Sequence, residues 1–168
     1  MSKEDDDART KLWKIISSTK FAMLTHRHGG GELHSQPLTT QNKELGEDST
    51  LYFFVPKDGD VARNLATDPN VNLAYANVDD DDYVSVSGKA SISENQALKA
   101  ELFNTVAKAW FPGGANDPNL GLLAVRMDQA EFWKAKDSKA VQLLKMAASA
   151  VTGHPPKDIS EHRKVGNP

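Results

Sequence analysis

The chain contains no cysteine. Disulfides, thiolate catalysis and cysteine-based zinc sites are excluded together. Basic charge is not in excess either: 20 Lys and Arg stand against 23 Asp and Glu, a net charge of −3. The basic residues are scattered rather than striped, so no field builds up that would attract nucleic acid. No apolar run approaches the about 20 residues that cross a membrane. The opening MSKEDDDART is acidic where a secretion signal is basic. A G-x-S-x-G hydrolase signature is also missing. The expectation is a soluble, cytoplasmic protein with neither a membrane nor a nucleic-acid partner.

What is present suits one globular domain: 168 residues, 39% of them apolar. Ala8, Leu12, Ile15 and Ile16 repeat at helical spacing, with acids before and lysines after, which predicts a helix over about 4–18. FAMLTHRH (21–28) and ELHSQPLTTQ (32–41) read as two strands of a hairpin around a glycine loop, with Leu33, Ser35, Pro37 and Thr39 sharing a face. TLYFFV (50–55) is the most apolar strand, and a helix follows from about Asp58 to Thr67. NVNLAYANV and DYVSVSGKASIS alternate with a period of two. Ser93-x-x-Gln96 reads as a capping box opening one helix that carries Leu98, Leu102 and Val106 and stops at WFPGG. LGLLAVRMDQAEFWKA (120–135) is a long strand, and Ser138 caps a helix whose Leu144, Ala148 and Val151 face inward.

Successive strands mostly lack a crossover helix, so the sheet is mainly antiparallel. The fold class is mainly β with peripheral helices: about six strands in a small closed or partly closed barrel. The domain spans 1–150, and 151–168 is a polar C-terminal tail whose last twelve residues are too polar to order themselves.

Two clusters invite a metal. His26 and His28 share a strand face and His34 lies on the partner strand, but no acidic fourth ligand is placed. Surface histidines at a solvated hairpin end are the preferred reading. The Asp run 79–82 lacks the glycine and terminal glutamate of a calcium loop and reads as a solvated turn. No metal is expected. FFVPKDGDVARNL (53–65) is more informative. A strand, a glycine turn and a helix N-terminus meet there, a common place to hold a phosphate, yet Asp58 and Asp60 stand where the anion would arrive.

SQPLTTQ, YFFVPKDGDVARNL, NVNLAYANV and DYVSVSGKASI occur in one order with short gaps, and AWFPGGANDPNLGLLAVRMDQAEFW (109–133) follows. This series resembles the FMN-binding split β-barrel family typified by pyridoxamine 5'-phosphate oxidase, in its bacterial general stress protein branch. The resemblance implies a homodimer that holds FMN in two clefts between subunits. Where relatives carry a basic residue before an apolar pair, this chain has Gln36, then Pro37 and Leu38. A lysine at the end of that strand is replaced by Gln41, and a Ser-Arg-Lys phosphate clamp by Gly59, Asp60 and Val61. Lys57, the turn amides of 59–61 and Arg63 are the replacement contacts. The backbone of Phe53, Phe54 and Val55 would serve the flavin ring, Trp110 and Phe111 would cover it from the partner subunit, and Tyr83 would supply a polar contact.

The function implied is weak FMN binding, with FAD or no flavin as alternatives, in a flavin-dependent oxidoreductase or a non-catalytic, stress-related ligand or interaction protein. Deazaflavin or haem is a third possibility, the histidines being the barrel's axial-ligand candidates. Pyridoxamine phosphate oxidation is not assigned, because a second phosphate-bearing substrate needs still more cations.

Overall fold

The computed structural model describes residues 3–156 and 159–166. Helix α1 (Lys3–Thr19) buries Ala8, Leu12, Ile15 and Ile16 at the expected spacing. Lys20 is left-handed (φ 61°) and its N–H donates to the Ile16 carbonyl at 2.8 Å, ending the helix and turning the chain into the sheet. Strands β1 (Phe21–Arg27), β2 (Leu33–Thr39), β3 (Thr50–Pro56), β4 (Asn70–Asn77), β5 (Asp82–Ser93), β6 (Leu120–Ala135) and β7 (Ser160–Gly166) follow. Helices α2 (Asp60–Leu65), α3 (Gln96–Leu102), α4 (Thr105–Trp110) and α5 (Lys139–Thr152) are set between them.

The strands run β2-β1-β4-β5-β6-β3, each antiparallel to its neighbour. A bridge between Thr40 and Phe53 draws the β2 end of that row against β3, so the sheet curls into a half-barrel. Alternation fills its inside: Leu24, Leu73, Tyr75, Val86, Phe53 and Phe132 are each at most 1% exposed. The Tyr75 hydroxyl, carried into this core, is paired with the Thr40 hydroxyl at 2.8 Å. α1 lies across β4 and β5 and covers the interior. β6 bulges at Asp128, which has no partner between the Ser87↔Gln129 and Gly88↔Met127 pairs with β5. A side chain at Gly88 would overlap the Arg126 carbonyl, so only glycine lets β5 pass that close to β6.

The structure corrects four expectations. The tail contains β7, which pairs with β6 from Gln129↔Gly166 to Ala135↔Ser160. It takes up the edge of β6 that β3 leaves at Arg126. Residues 157, 158, 167 and 168 of that tail lie outside the described residues. The helix expected after Ser93 is two helices. Asn95 caps α3, its side chain accepting from Leu98 N–H at 3.0 Å, while Ser93 ends β5 and Val106 belongs to α4. Asp58 and Gly59 remain in the turn, so α2 is only six residues long. Ser138 holds the N-cap position of α5 without a side-chain cap bond, and among the described residues α5 buries none of its own. Leu144 is 70% and Val151 89% exposed, and Ala148 is exposed too. The half-buried residues of α5 include Gln142, Lys145 and Ser149, so the face expected to point inward points out.

Candidate functional site

A cleft of about 320 Å³ opens where the ends of β2 and β3 meet α4. Leu38, Thr39 and Gln41 form one wall, Phe54 and Pro56 another, and Val106, Ala107, Trp110 and Phe111 the third, with Asp117 and Asn119 at the edge. Leu38 points inward because alternation places Gln36 and Leu38 on the barrel face of β2, opposite Leu24 and Ala22. Leu33, Ser35 and Pro37 take the exposed face. Asn104 assembles the third wall. Its Oδ1 accepts from the N–H groups of Val106 and Ala107, both at 3.0 Å, and its Nδ2 donates to Gln41 Oε1 at 2.7 Å. Gln41 Nε2 donates in turn to the Thr39 carbonyl at 2.9 Å. A lysine at position 41 could not accept from Asn104. The neutral side chain here ties the helix to the strand instead of reaching for an anion.

The turn after β3 is fixed by the same edge. Asn119 accepts from Lys57 N–H through its carbonyl at 2.8 Å and from Asp58 N–H through Oδ1 at 3.2 Å, while Gly59 N–H donates to the Pro56 carbonyl at 3.1 Å. Of the amides expected to meet a phosphate, that of Gly59 is therefore committed within the turn. Arg63 does not turn inward: its guanidinium donates to the Asp60 carboxylate and the Asp58 carbonyl. That pair is exposed, so it blunts the charge of Asp60 more than it stabilises the fold.

The expected site residues thus separate. Leu38, Gln41 and Phe54 line the cleft, and Trp110, expected to cover the ring from a partner subunit, lines the cleft of its own chain, 80% exposed at the rim. Phe53, Val55 and Val61 send their side chains into the core. The N–H and C=O of Tyr52 are taken by Asn42 and Gln41, and by alternation the polar backbone of Phe54 faces the same edge, toward Thr39 and the cleft. The backbone groups of Phe53 and Val55 face β6. Tyr83 is on the outer face of the sheet, in register with Ala76 and Trp133, and does not reach the cleft. Asn104 and Asn119 escaped the sequence reading. An Asn directly before a helical stretch is an N-cap signal and could have identified the first.

His26 overturns the surface reading, while His28 is half-buried and His34 is exposed as expected. His26 pairs in register with His34, and the rings of His26, His28 and His34 lie 4.7 to 5.8 Å apart between centroids. His26 is 1% exposed, and neither of its nitrogens, nor Nε2 of His28, has a partner. Burial holds the His26 pKa below the usual imidazole value, and His28 and His34 push it the same way. Among the described residues no three His, Asp or Glu side chains are placed to hold a metal ion, and no helix is long and apolar enough to cross a membrane.

A family model described as pyridoxamine 5'-phosphate oxidase like matches residues 7–157. Protein bli-3 of Neurospora crassa is 28% identical over 159 residues, covering 89% of this chain and 76% of its own. A solved structure assigned as general stress protein 26 from Jannaschia sp. CCS1 superposes with a TM-score of 0.77 at 25% identity, over 96% of this chain and 99% of that one. The general stress FMN/FAD binding protein of Xanthomonas citri superposes at 0.67 with 30% identity, over 79% of this chain and 92% of that one.

Proposed function

The chain belongs to the pyridoxamine 5'-phosphate oxidase-like family, and we propose that it binds a flavin mononucleotide, with the ring in the β2–β3–α4 cleft and the phosphate between Gln36 and the start of α2. The cleft is the observation that carries this reading. Its volume is at the lower end of the range for small-molecule sites, and its walls are apolar and aromatic with a few polar edges. The FMN/FAD-binding relative in Xanthomonas citri supports the ligand class.

The two halves fit the ligand unequally. Leu38, Phe54 and Trp110 provide apolar contact for a planar ring, and the backbone edge at Phe54 provides polar contact. The phosphate half lacks the family's cations at Gln36, Asp60 and Val61. A charge-assisted hydrogen bond is worth ~1.5–3 kcal/mol. Three such losses weaken binding by several orders of magnitude, at ~1.4 kcal/mol per tenfold. Flavin binding is accordingly weak and ring-dominated. When bound, the flavin would supply redox chemistry; the chain's own part is to seat it and exclude water from the cleft.

The protein acts as a homodimer, in which a second copy covers apolar surface that a monomer leaves open. Leu143, Leu144, Met146 and Val151 of α5, Phe21 and Met23 of β1, and Trp110 are all exposed. Apolar exposure on this scale marks an interaction surface. Sedimentation that finds a folded monomer at micromolar concentration refutes the dimer. Titration of the apo-protein with FMN, followed by flavin fluorescence, tests the ligand. Saturable binding abolished by Trp110→Ala and Phe54→Ala is expected, and binding indifferent to both places the ring elsewhere.

A further inference from the structure

The histidine cluster lies beside the phosphate half of that site and gives it something the sequence pattern withholds. His34 is two residues before Gln36 on the same face of β2, and the β1–β2 register sets His26 against it. The other side of the cluster meets α2. Gly29, one residue beyond His28, donates its N–H to Asn64 Oδ1 at 3.1 Å, and the charge of Asp60 is felt at His26. The three imidazoles therefore lie beside Gln36 along β2 and on the side of the hairpin that touches α2, the two elements assigned to the phosphate.

Both nitrogens of His26 and Nε2 of His28 are buried without a partner, and orphaned polar atoms of this kind are costly unless a further group bonds them. A shared metal ion is not that group, because no set of three donors is arranged around a common point among the described residues. A phosphate monoester suits the accessible edge of the cluster, the exposed His34 and the half-buried His28, with His26 enclosed behind them. Its oxygens only accept while it is a dianion, and imidazolium donates from both nitrogens.

We propose that His28 and His34, backed by His26, take the phosphate of FMN, and supply in titratable form the positive charge absent at Gln36, Asp60 and Val61. The assignment rests on the FMN reading above. Asp60 opposes the phosphate from α2 while its partner Arg63 screens it; Lys57 and Asp58 stand in the turn, and Glu32 in the hairpin loop. Arg27 is drawn away, toward Asp68 on the other face of β1. On binding, an imidazole of the cluster takes a proton from solvent and donates N–H to a phosphate oxygen. FMN affinity then rises by up to about tenfold per pH unit for each proton taken up. The rise levels off near pH 6, where the phosphate itself begins to accept its second proton.

The test is titration of the apo-protein with FMN, riboflavin and inorganic phosphate between pH 6 and 8, for the wild type and for His28→Gln, His34→Gln and the double variant. FMN should bind about tenfold tighter at pH 6.5 than at pH 8, while riboflavin stays constant. Inorganic phosphate should compete with FMN and not with riboflavin. The double variant should lose the pH dependence of FMN and keep its riboflavin affinity, which also shows that it is folded. If the double variant fails to fold, phosphate competition in the wild type decides: no competition below pH 7 overturns the proposal. A preference for FMN over riboflavin that ignores pH and both substitutions leaves the FMN reading standing and overturns the histidines alone. If neither flavin binds under any of these conditions, the reading falls and takes the proposal with it.

Discussion

Val165 is the test of whether the C-terminal segment belongs to the body of the protein. It is 6% exposed and joins the core cluster, opposite Ala130 in the β6–β7 register. Around it, Glu161 accepts from Lys11 of α1 at 3.1 Å, Lys164 reaches Glu131 at 3.0 Å, and the His162 ring stacks on Trp133 at 5.0 Å. Val165→Ala removes two methylene equivalents at ~0.8 kcal/mol each. The residual cavity brings the loss to about 2 kcal/mol. For a chain of this size, each kcal/mol lowers Tm by about 2–4 °C, so a fall of roughly 4–8 °C is expected. Lys164→Ala removes only an exposed ion pair and should cost under about 1 kcal/mol. Differential scanning calorimetry on both variants, and on a chain truncated after Gly153, measures the contrast. Truncation should exceed Val165→Ala, because it also strips the ladder from the C-terminal half of β6. A truncated chain that melts with the full-length protein would refute the reasoning and return these residues to a polar tail.

Three further outcomes are expected. Gly88→Ala forces a Cβ into the Arg126 carbonyl and should cost about 1–3 kcal/mol, read as a lowered urea midpoint with an unchanged m-value. Asp60→Lys replaces a repulsive charge by an attractive one and should tighten FMN roughly tenfold while leaving riboflavin unchanged, with Lys57→Ala acting in the opposite direction; equal effects on both flavins would move the phosphate away from this turn. The pKa of His26 is lowered on folding from 6.5, so the unfolded chain binds the proton first and stability is lost as pH falls below 6.5. Tm should therefore decline from pH 7 toward the lower His26 pKa before the carboxylates titrate, and His26→Asn should flatten that limb; a slope unchanged in the variant assigns it to other groups.

How far the sequence could be read depended on whether one segment's own pattern sufficed. α1 and β6 were legible because four apolar residues at helical spacing and an uninterrupted 16-residue strand need no partner to be recognised. β7 was not, since SEHRKVG carries one apolar side chain that is buried and owes its extended form to the open edge of β6. Pairing supplied what propensity lacked. His26 was misread for a different reason. Ala22, Leu24 and His26 alternate on one face, and the two apolar members already pointed that face inward. The glycine loop next to them was given too much weight as a sign of solvent. In the candidate site, resemblance identified Leu38, Gln41 and Phe54 as neighbours from separate stretches of chain, which no local pattern can do, but it placed Trp110 on the partner subunit and not in the cleft of its own chain. It could not foresee that Gln41 is bonded at both ends of its amide, by Asn104 and to Thr39.

That commitment of Gln41 bears on how the site works as a whole. Were Gln41 merely a lysine lost by drift, its side chain would be free to solvent and the cleft wall would stand without it. Instead it joins the α4 cap to β2, so the apolar half of the site is organised by the residue that elsewhere in the family is expected to serve the anion. The phosphate half shows the opposite balance: Asp60 is held in an exposed pair with Arg63, and burial disfavours the charged form of the nearby His26. On the proposed reading, a flavin gains from burying its ring at any pH and from its phosphate only when protons accompany it. Contact with the ring would then set whether it binds, and the phosphate when. The ratio of FMN to riboflavin affinity isolates the second term because the ring is common to both ligands. A ratio near one at pH 8 that grows on acidification is the signature of this division, and a large, constant ratio would mean that a fixed cation, Lys57 foremost, holds the phosphate instead.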